Sequence, residues 1–338
     1  MKLRKLFYCL FVFVTVQALA AAPQSWSKES VFVFPEAGRQ PWIEAIRGAN
    51  NTIDIAAYKL SDPVIIKELK EAAQKGIVIN LLIEGSAFKH EKSANVKSPL
   101  EELMMQKIHV HSPQSKRFNQ YHYKTVIVDK EWGLISTGNL DAESFDGLKE
   151  PLTPAARDFA VPVLDKKLAS DVLKVFLADT QEQRIVPKEK PLVWGPDYQR
   201  STFLALLNGA EKTIDIYQQD FQDVGMAQAV AAAAKAGVKV RVLMMPFPFN
   251  KSEDKNIPNQ NLMKEAGASI GLFEALYVHA KIVIVDDKVM YVGSGNFYTA
   301  SIDQTRELGI MIKNTAQIKA LKAVFEKDWQ RSEINQDR

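Results

Sequence analysis

Short runs of β-branched and aliphatic residues alternate along this chain with longer stretches whose apolar positions recur every three or four residues. Ile53–Tyr58 reads as a strand, Asp62–Gln74 as a helix ending at Gly76, and Ile77–Ile83 as a continuous apolar strand. A glycine just past the last periodic residue suits the left-handed turn that closes a helix. The same order returns later as Ile214–Tyr217, the alanine-rich stretch Met226–Ala236 and Val238–Met245. Thr125–Val128 and Ile282–Val285 are almost wholly β-branched, which predicts strands covered on both faces.

The recurrence is one of sequence as well as pattern. Val31-Phe32-Val33-Phe34-Pro35-Glu36 aligns with Leu192-Val193-Trp194-Gly195-Pro196-Asp197 at an offset of 161, which also carries Thr52-Ile53-Asp54-Ile55 onto Thr213-Ile214-Asp215-Ile216. His122-Tyr123-Lys124 falls on His279-Ala280-Lys281, and Asn139 on Asn296, at an offset of 157. Self-similarity on this scale predicts an α/β protein of two homologous α/β/α sandwich domains, each a mixed sheet between helices. Pro187, Pro191, Gly195 and Pro196 fall between charged residues in Arg184–Arg200 and mark the boundary. The expected division is a leader over residues 1–20, an N-terminal domain over 21–185 and a C-terminal domain over 186–338.

The 338 residues are 46% hydrophobic and 25% charged, too apolar for disorder and too interrupted by charge for a polytopic membrane protein. Of the 43 basic residues, Lys2, Arg4 and Lys5 alone account for the net charge of +3; without them 40 bases face 40 acids. A neutral remainder gives no support to a general nucleic-acid binder, which carries a basic excess. The basic start precedes an apolar run from Leu6 to Val16 and then Ala18-Leu19-Ala20, the small-x-small pattern of a signal cleavage site. Cleavage after Ala20 is expected, with Ala22 as the alternative. The rival reading is an uncleaved anchor, but Gln17 and the alanines cut the run short of the roughly 20 residues a spanning helix needs. The single cysteine, Cys9, lies inside the leader, so the mature chain would have no thiol for disulfides, catalysis or metal binding.

A repeated polar set carries the candidate chemistry. His122-x-Lys124 is followed by Asp129 and then Ser136-Thr137-Gly138-Asn139; the second copy has His279-x-Lys281, Asp286 and Gly293-Ser294-Gly295-Asn296 at identical spacing. Period-two alternation puts each histidine and its lysine on one face of a strand. One such histidine is usually structural. Packing does not explain two copies that share a lysine at i+2 and an asparagine 17 residues on.

These residues resemble the signature of the phospholipase D superfamily: His-x-Lys, four residues, Asp, six residues, then Gly-Ser-x-Asn. The second copy matches every fixed position, while the first has Ser136-Thr137 in place of Gly-Ser and keeps a hydroxyl at Thr137 and the amide of Asn139. The resemblance runs from about Val31 to Ile312. It implies the phospholipase D fold, with two domains in one chain related by a pseudo-twofold axis.

A phosphodiester is a weak, anionic electrophile, so its cleavage needs a nucleophile, an acid for the leaving alkoxide and cations at the non-bridging oxygens. One neutral imidazole can attack to form a phosphohistidine while the other, protonated, donates to the leaving group and then activates water. Lys124, Lys281 and the amides of Asn139 and Asn296 would hold the phosphoryl oxygens. The lysines supply the positive charge that a metal gives elsewhere, so no metal and no cofactor is expected. Resemblance to two-motif phospholipases assigns the nucleophile to His122 and the acid–base role to His279. Each histidine also needs a carboxylate to fix its tautomer. Asp158, after Arg157, and Glu307, after Arg306, stand where the family has an acidic residue; the competing reading is a surface ion pair with the adjacent arginine. Thr137 and Ser294 either bind the phosphate or cap a turn. Asp129 and Asp286 begin turns after strands and read as loop-fixing residues.

Three further features are weaker. His109-x-His111 could place two imidazoles on one strand face, but the second copy has Ser269 and Gly271 there and no acidic cluster lies nearby, which disfavours a metal site. The basic stretch from Lys89 to Lys97 is a solvated loop or a contact for anionic headgroups. Met244-Met245-Pro246-Phe247-Pro248-Phe249 either lines an acyl-chain entrance or packs beneath a loop.

The expected function is that of an exported, monomeric phospholipase D, secreted or periplasmic. It hydrolyses a glycerophospholipid at a membrane surface to phosphatidic acid and a headgroup alcohol, with transphosphatidylation as a side reaction. The alternatives are an exported metal-independent nuclease or phosphodiesterase acting on nucleic acid, and a lipid-binding protein that has lost catalysis. Cardiolipin synthase is a third relative, but those enzymes are membrane-anchored and this chain shows no further spanning segment.

Overall fold

The structure is a computed structural model that describes residues 21–84, 103–104, 108–113, 117–149, 152–248 and 252–334. The expected leader with Cys9, the stretch from Lys89 to Lys97, and Phe249 lie outside the described residues. No described helix is long and apolar enough to cross a membrane.

In the first half, Phe32–Phe34 (β1), Thr52–Ala57 (β2), Val78–Ile83 (β3), His109–His111 (β4), Lys124–Val128 (β5), Trp132–Ser136 (β6) and Ala156–Val163 (β7) form a sheet ordered β1-β7-β6-β5-β2-β3-β4. Strands β2, β3 and β4 pair in parallel and the others antiparallel. The second half contributes Leu192–Gly195 (β8), Thr213–Tyr217 (β9), Lys239–Met244 (β10), Ser269–Leu272 (β11), Tyr277–Val278 (β12), Lys281–Val285 (β13), Val289–Gly293 (β14), Glu307–Ile312 (β15) and Glu333–Ile334 (β16). Its sheet order, β16-β11-β10-β9-β13-β14-β15-β8, repeats the first topology with one added edge strand. These are two homologous mixed-sheet α/β domains related by a pseudo-twofold axis. Strand β12 leaves its own sheet and pairs with β7 of the other half.

Helices cover both faces of each sheet, and aspartates set where several of them begin. The carboxylate of Asp62 accepts the N–H groups of Val64 and Ile65 at the start of Pro63–Gln74. Asp223 accepts the Met226 N–H, so Val224–Lys235 begins two residues earlier than its alanine pattern suggests. On the outer side of each sheet, these helices bury Ile65 and Leu69 against Ile53 and Ile55, and Met226 and Val230 against Ile214 and Ile216. A third core joins the halves: Phe176 of the helix Lys166–Thr180 and Phe325 of Thr315–Gln330 pack with Phe159, Tyr217 and Ile282. Both halves therefore share one apolar layer, which fixes how the two polar motifs face each other.

Asp129 and Asp286 hold the ends of the sheets. Each has a left-handed backbone, with φ of 50° and 55°. The Asp129 carboxylate accepts the N–H groups of Asn50, Asn51 and Thr52; Asp286 accepts those of Glu211, Lys212 and Thr213. Three backbone donors on one carboxylate anchor the entry to β2 and to β9 and place neither aspartate in the polar cavity.

Candidate active site

Sequence periodicity puts each histidine and its lysine on one regular strand, and the structure corrects this. Strands β5 and β13 begin at Lys124 and Lys281, and the histidines precede them. The histidine segments instead pair with the other half. Tyr121 bridges Arg306 in parallel, and the His122 N–H donates to the Arg306 carbonyl at 2.9 Å. Equivalently, Val278 of β12 lies opposite Arg157 of β7, and the His279 N–H donates to the Arg157 carbonyl at 3.2 Å, which also accepts the Ala280 N–H at 2.9 Å.

Parallel register then fixes the next pair along each ladder. His122 stands beside Glu307, with Nδ1 2.9 Å from Oε2, and His279 beside Asp158, with Nδ1 3.0 Å from Oδ2. Each motif's imidazole thus takes its carboxylate from the opposite half. Burial drives both imidazoles down to about 4, against the upward pull of their carboxylates. Burial raises Glu307 and Asp158, but the histidines and lysines around them outweigh it and hold both below the ordinary carboxylate range. At neutral pH each pair is a neutral imidazole on a carboxylate, with Nδ1–H donating and Nε2 left as a lone-pair base.

The adjacent arginines are not partners of these carboxylates. Strand alternation sends Arg157 to the other face, where it binds Glu36 and Asp328; Arg306 binds Asp197 and Asp179. Arg157–Asp328 and Arg306–Asp179 each cross between the halves and are buried. The docking that presents the histidines is therefore clamped by two cross-half ion pairs.

Lys124 and Lys281 are fully buried behind the histidines, each donating to the carbonyl of the histidine two residues earlier. Burial lowers both ammonium groups, Lys281 to about 8. The two differ in surroundings: Lys124 lies over the Tyr58 ring, 5.5 Å from its centroid, whereas Lys281 donates to Gln219 Oε1 at 3.4 Å. Tyr58 also meets His122 edge-on with centroids 4.9 Å apart.

Thr137 and Ser294 lie behind the carboxylates, away from the cavity. Thr137 Oγ1 donates to Asp158 Oδ1 at 2.5 Å and accepts the Phe159 N–H; Ser294 Oγ donates to the Leu308 carbonyl and accepts the Leu308 N–H. On the Glu307 side the carboxylate is held by Ser301, whose hydroxyl donates to Oε1 at 2.7 Å and accepts the Asn296 N–H. Ser301 and Ser144 both fall five residues after the motif asparagine, so aligning the repeats a little further would have exposed this position. Gly138 explains why no side chain intervenes, since a Cβ there would lie 2.8 Å from Asp158 Oδ2.

His122, His279, Asn139 and Asn296 line one cavity of about 640 Å³ at the junction of the halves. Tyr58, Gln219, Asp220, Tyr277 and Tyr298 share its wall and were not singled out by sequence. The Oδ1 atoms of Asn139 and Asn296 are buried with no hydrogen-bond partner among the described residues. His109 and His111 lie on the sheet-edge strand β4, away from the cavity. Among the described residues no group of three or more His, Cys, Asp or Glu is arranged to hold a metal ion.

Comparison with known proteins agrees with this architecture. The profile of the family described as "Cardiolipin synthase, PLD-like domain" matches twice, over residues 42–178 and 203–329, and the chain belongs to that family. Phosphatidylserine synthase from Haemophilus influenzae Rd KW20 has a similar structure, with a TM-score of 0.69 at 13% identity, over 91% of this chain and 88% of that one. Polyphosphate kinase from Porphyromonas gingivalis is similar over 88% of this chain and 46% of its own, with a TM-score of 0.67 at 13% identity. No curated protein sequence matches. The chain is thus a member of the phospholipase D superfamily, whose enzymes act on phosphate esters.

Proposed function

We propose that the protein is a metal-independent phosphodiesterase of the phospholipase D type that works through a phosphohistidine. The observation that carries this is the crossed pairing: two carboxylate-held imidazoles, one per motif, open onto one cavity. Because each Nδ1 is taken, Nε2 is the reacting nitrogen of both rings.

In this reading His122 Nε2 attacks phosphorus while the bond to the headgroup oxygen breaks, and protonated His279 gives its Nε2 proton to the departing alkoxide. His279, now neutral, accepts a proton from water, whose oxygen attacks phosphorus and releases His122. The free site holds His279 neutral, so the proton it needs is favoured by the arriving phosphate anion, which offsets the burial that keeps the ring uncharged. Lys124, Lys281 and the two asparagine amides stabilise the charge that builds on the non-bridging oxygens. The assignment of attack to His122 and acid–base work to His279 follows the resemblance to two-motif phospholipases.

The proposed substrate is a glycerophospholipid, hydrolysed after export to phosphatidic acid and a free headgroup alcohol. The lipid-directed family profile, the signal-like leader and the zero net charge of residues 21–338 support it. An alcohol that replaces water in the second step gives transphosphatidylation. A second reading, cleavage of a nucleic-acid backbone, is favoured by the polar cavity wall, which suits a nucleotide as well as a headgroup. Incubation with mixed phospholipids, and separately with plasmid DNA, both in EDTA, tests the choice. Phosphatidic acid from the first supports the lipid reading; DNA cleavage without lipid turnover overturns it.

A further inference from the structure

The cavity is symmetric at its centre and asymmetric around it. At the offset of 157 that carries His122 onto His279 and Asn139 onto Asn296, Gln120 falls on Tyr277 and Asp141 on Tyr298, and all of these residues line the cavity. At the offset of 161 that carries Thr52 onto Thr213, Tyr58 falls on Gln219. Structural landmarks bracket that position in both halves: Asp54 and Asp215 stand on β2 and β9, and Asp62 and Asp223 cap the helices that follow.

Tyr58 and Gln219 both touch motif residues, in different ways. Tyr58 follows β2, is half-buried and walls the cavity. Its ring meets the His122 imidazole at 67° with centroids 4.9 Å apart, and Lys124 Nζ lies 5.5 Å from its centre. One ring therefore contacts both the imidazole and the ammonium of the first motif. Gln219 instead accepts from Lys281 through Oε1 at 3.4 Å and donates from Nε2 to the Tyr277 hydroxyl at 3.1 Å. The charged groups that face His122 are Glu307, Lys124 and Lys281, and Tyr58 adds an uncharged partner to them. The Glu307 carboxylate fixes Nδ1 but leaves the imidazole able to tilt about that hydrogen bond. An edge-to-face aromatic contact prefers one relative orientation, so it opposes the tilt and keeps Nε2 aimed at the cavity. The same ring attracts the Lys124 ammonium through its negative face, which holds base and cation in one arrangement.

We propose that Tyr58 is a positioning residue of the first motif, whose ring holds the His122 imidazole and the Lys124 ammonium in the geometry for phosphoryl transfer, where the second motif uses the amide of Gln219 on its lysine. This inference rests on the phosphodiesterase reading given above. It makes the two halves of the site unequal although their histidines, lysines and asparagines are the same.

The test compares Tyr58→Gln, the side chain that the twin position already carries, with Tyr58→Phe in the full chain. In steady-state hydrolysis of bis(p-nitrophenyl) phosphate, Tyr58→Gln should lower kcat about tenfold or more while KM stays within about threefold, because a misplaced imidazole is felt in the chemical step. Tyr58→Phe keeps the ring and should retain at least about half of kcat. Proton NMR, which needs no turnover, follows the Nδ1–H protons of both histidines. Tyr58→Gln should speed solvent exchange of the His122 proton by about tenfold or more and leave that of His279 unchanged, which also reports that the halves stay docked. Unchanged kcat and exchange in Tyr58→Gln, a raised KM with kcat intact, or equal kcat losses in Tyr58→Phe and Tyr58→Gln overturns the positioning role. Loss of both protons marks a variant that has not folded, and Tyr58→Leu then replaces it under the same criteria. If the unmodified protein does not hydrolyse the diester, the phosphodiesterase reading fails instead, and the exchange of the His122 proton alone decides whether Tyr58 holds that ring.

Discussion

His122 Nδ1 lies 2.9 Å from a carboxylate oxygen of Glu307, a residue 185 positions away in the other half of the chain. His279 makes the reciprocal pair with Asp158 across 121 positions. Neither half alone contains a complete histidine–carboxylate pair, so the site exists only when the halves are docked. Glu307→Gln keeps the shape but removes the charge that fixes the His122 tautomer and stabilises its cationic state. The expected loss in kcat is about a thousandfold or more, by analogy with neutralising the aspartate of a serine-protease triad. Asp158→Asn should do the same through His279. Steady-state kinetics on a soluble diester checks both, and near-normal kcat in either variant would show that the crossed pair is structural only.

Gly138→Ala tests the packing behind Asp158. Its Cβ would stand 2.8 Å from Oδ2 and 2.9 Å from Cγ of that carboxylate. The aspartate must move, carrying the His279 hydrogen bond with it. A drop in kcat of at least about tenfold is expected, together with a stability loss of about 1–3 kcal/mol typical of overpacking. Thermal unfolding and kinetics on the same preparation separate the two effects.

Much of this arrangement was legible in the sequence, for physical reasons that can be named. The continuous β-branched run Thr125–Val128 and the helical pattern of Asp62–Gln74 are set by burial, on both faces of the strand and on one face of the helix, and duplication of the chain doubled each signal. The motif residues His122, Lys124 and Asn139 declared themselves by recurring at one spacing. The crossing of the carboxylates was not legible, because it depends on how the two halves dock and on β12 leaving its own sheet for β7. Ser301, whose hydroxyl donates to Glu307, was within reach of a longer alignment of the repeats, but its contact with that carboxylate was not. That contact follows from local side-chain reach, which spacing does not encode.

Activity should decline in alkali. Burial lowers the Lys281 ammonium to about 8 and Lys124 in the same direction, so the free enzyme loses phosphate-binding charge as pH rises through that value. A plot of kcat/KM against pH should fall above about pH 8, since that parameter reports groups of the free enzyme. Lys281→Arg, whose guanidinium stays charged, should move this limb upward. A flat profile to pH 10 in the unmodified protein would contradict the placement of the lysine charge.

Acid should destabilise the fold before the carboxylates of an ordinary protein begin to titrate. Both histidines drop from 6.5 to about 4 on folding, so between those values the unfolded chain binds more protons and stability is lost as pH falls. Asp179, raised to about 6 by burial, acts in the opposite sense over much of the same window. Two shifts outweigh one, and at about 1.4 kcal/mol per unit the net loss is on the order of a few kcal/mol. The Tm should therefore fall between pH 7 and pH 4.5, and His122→Gln/His279→Gln should flatten that slope. An unchanged Tm across this range in the parent protein would contradict neutral burial of the imidazoles.

The most direct measurement of the central claim is incubation of the purified protein with mixed phospholipids and butanol in excess EDTA, with products resolved by chromatography. The account predicts both phosphatidic acid and phosphatidylbutanol, formed without metal and abolished by His122→Ala and by His279→Ala alike. Absence of both products, dependence on added metal, or turnover that survives either substitution would contradict it.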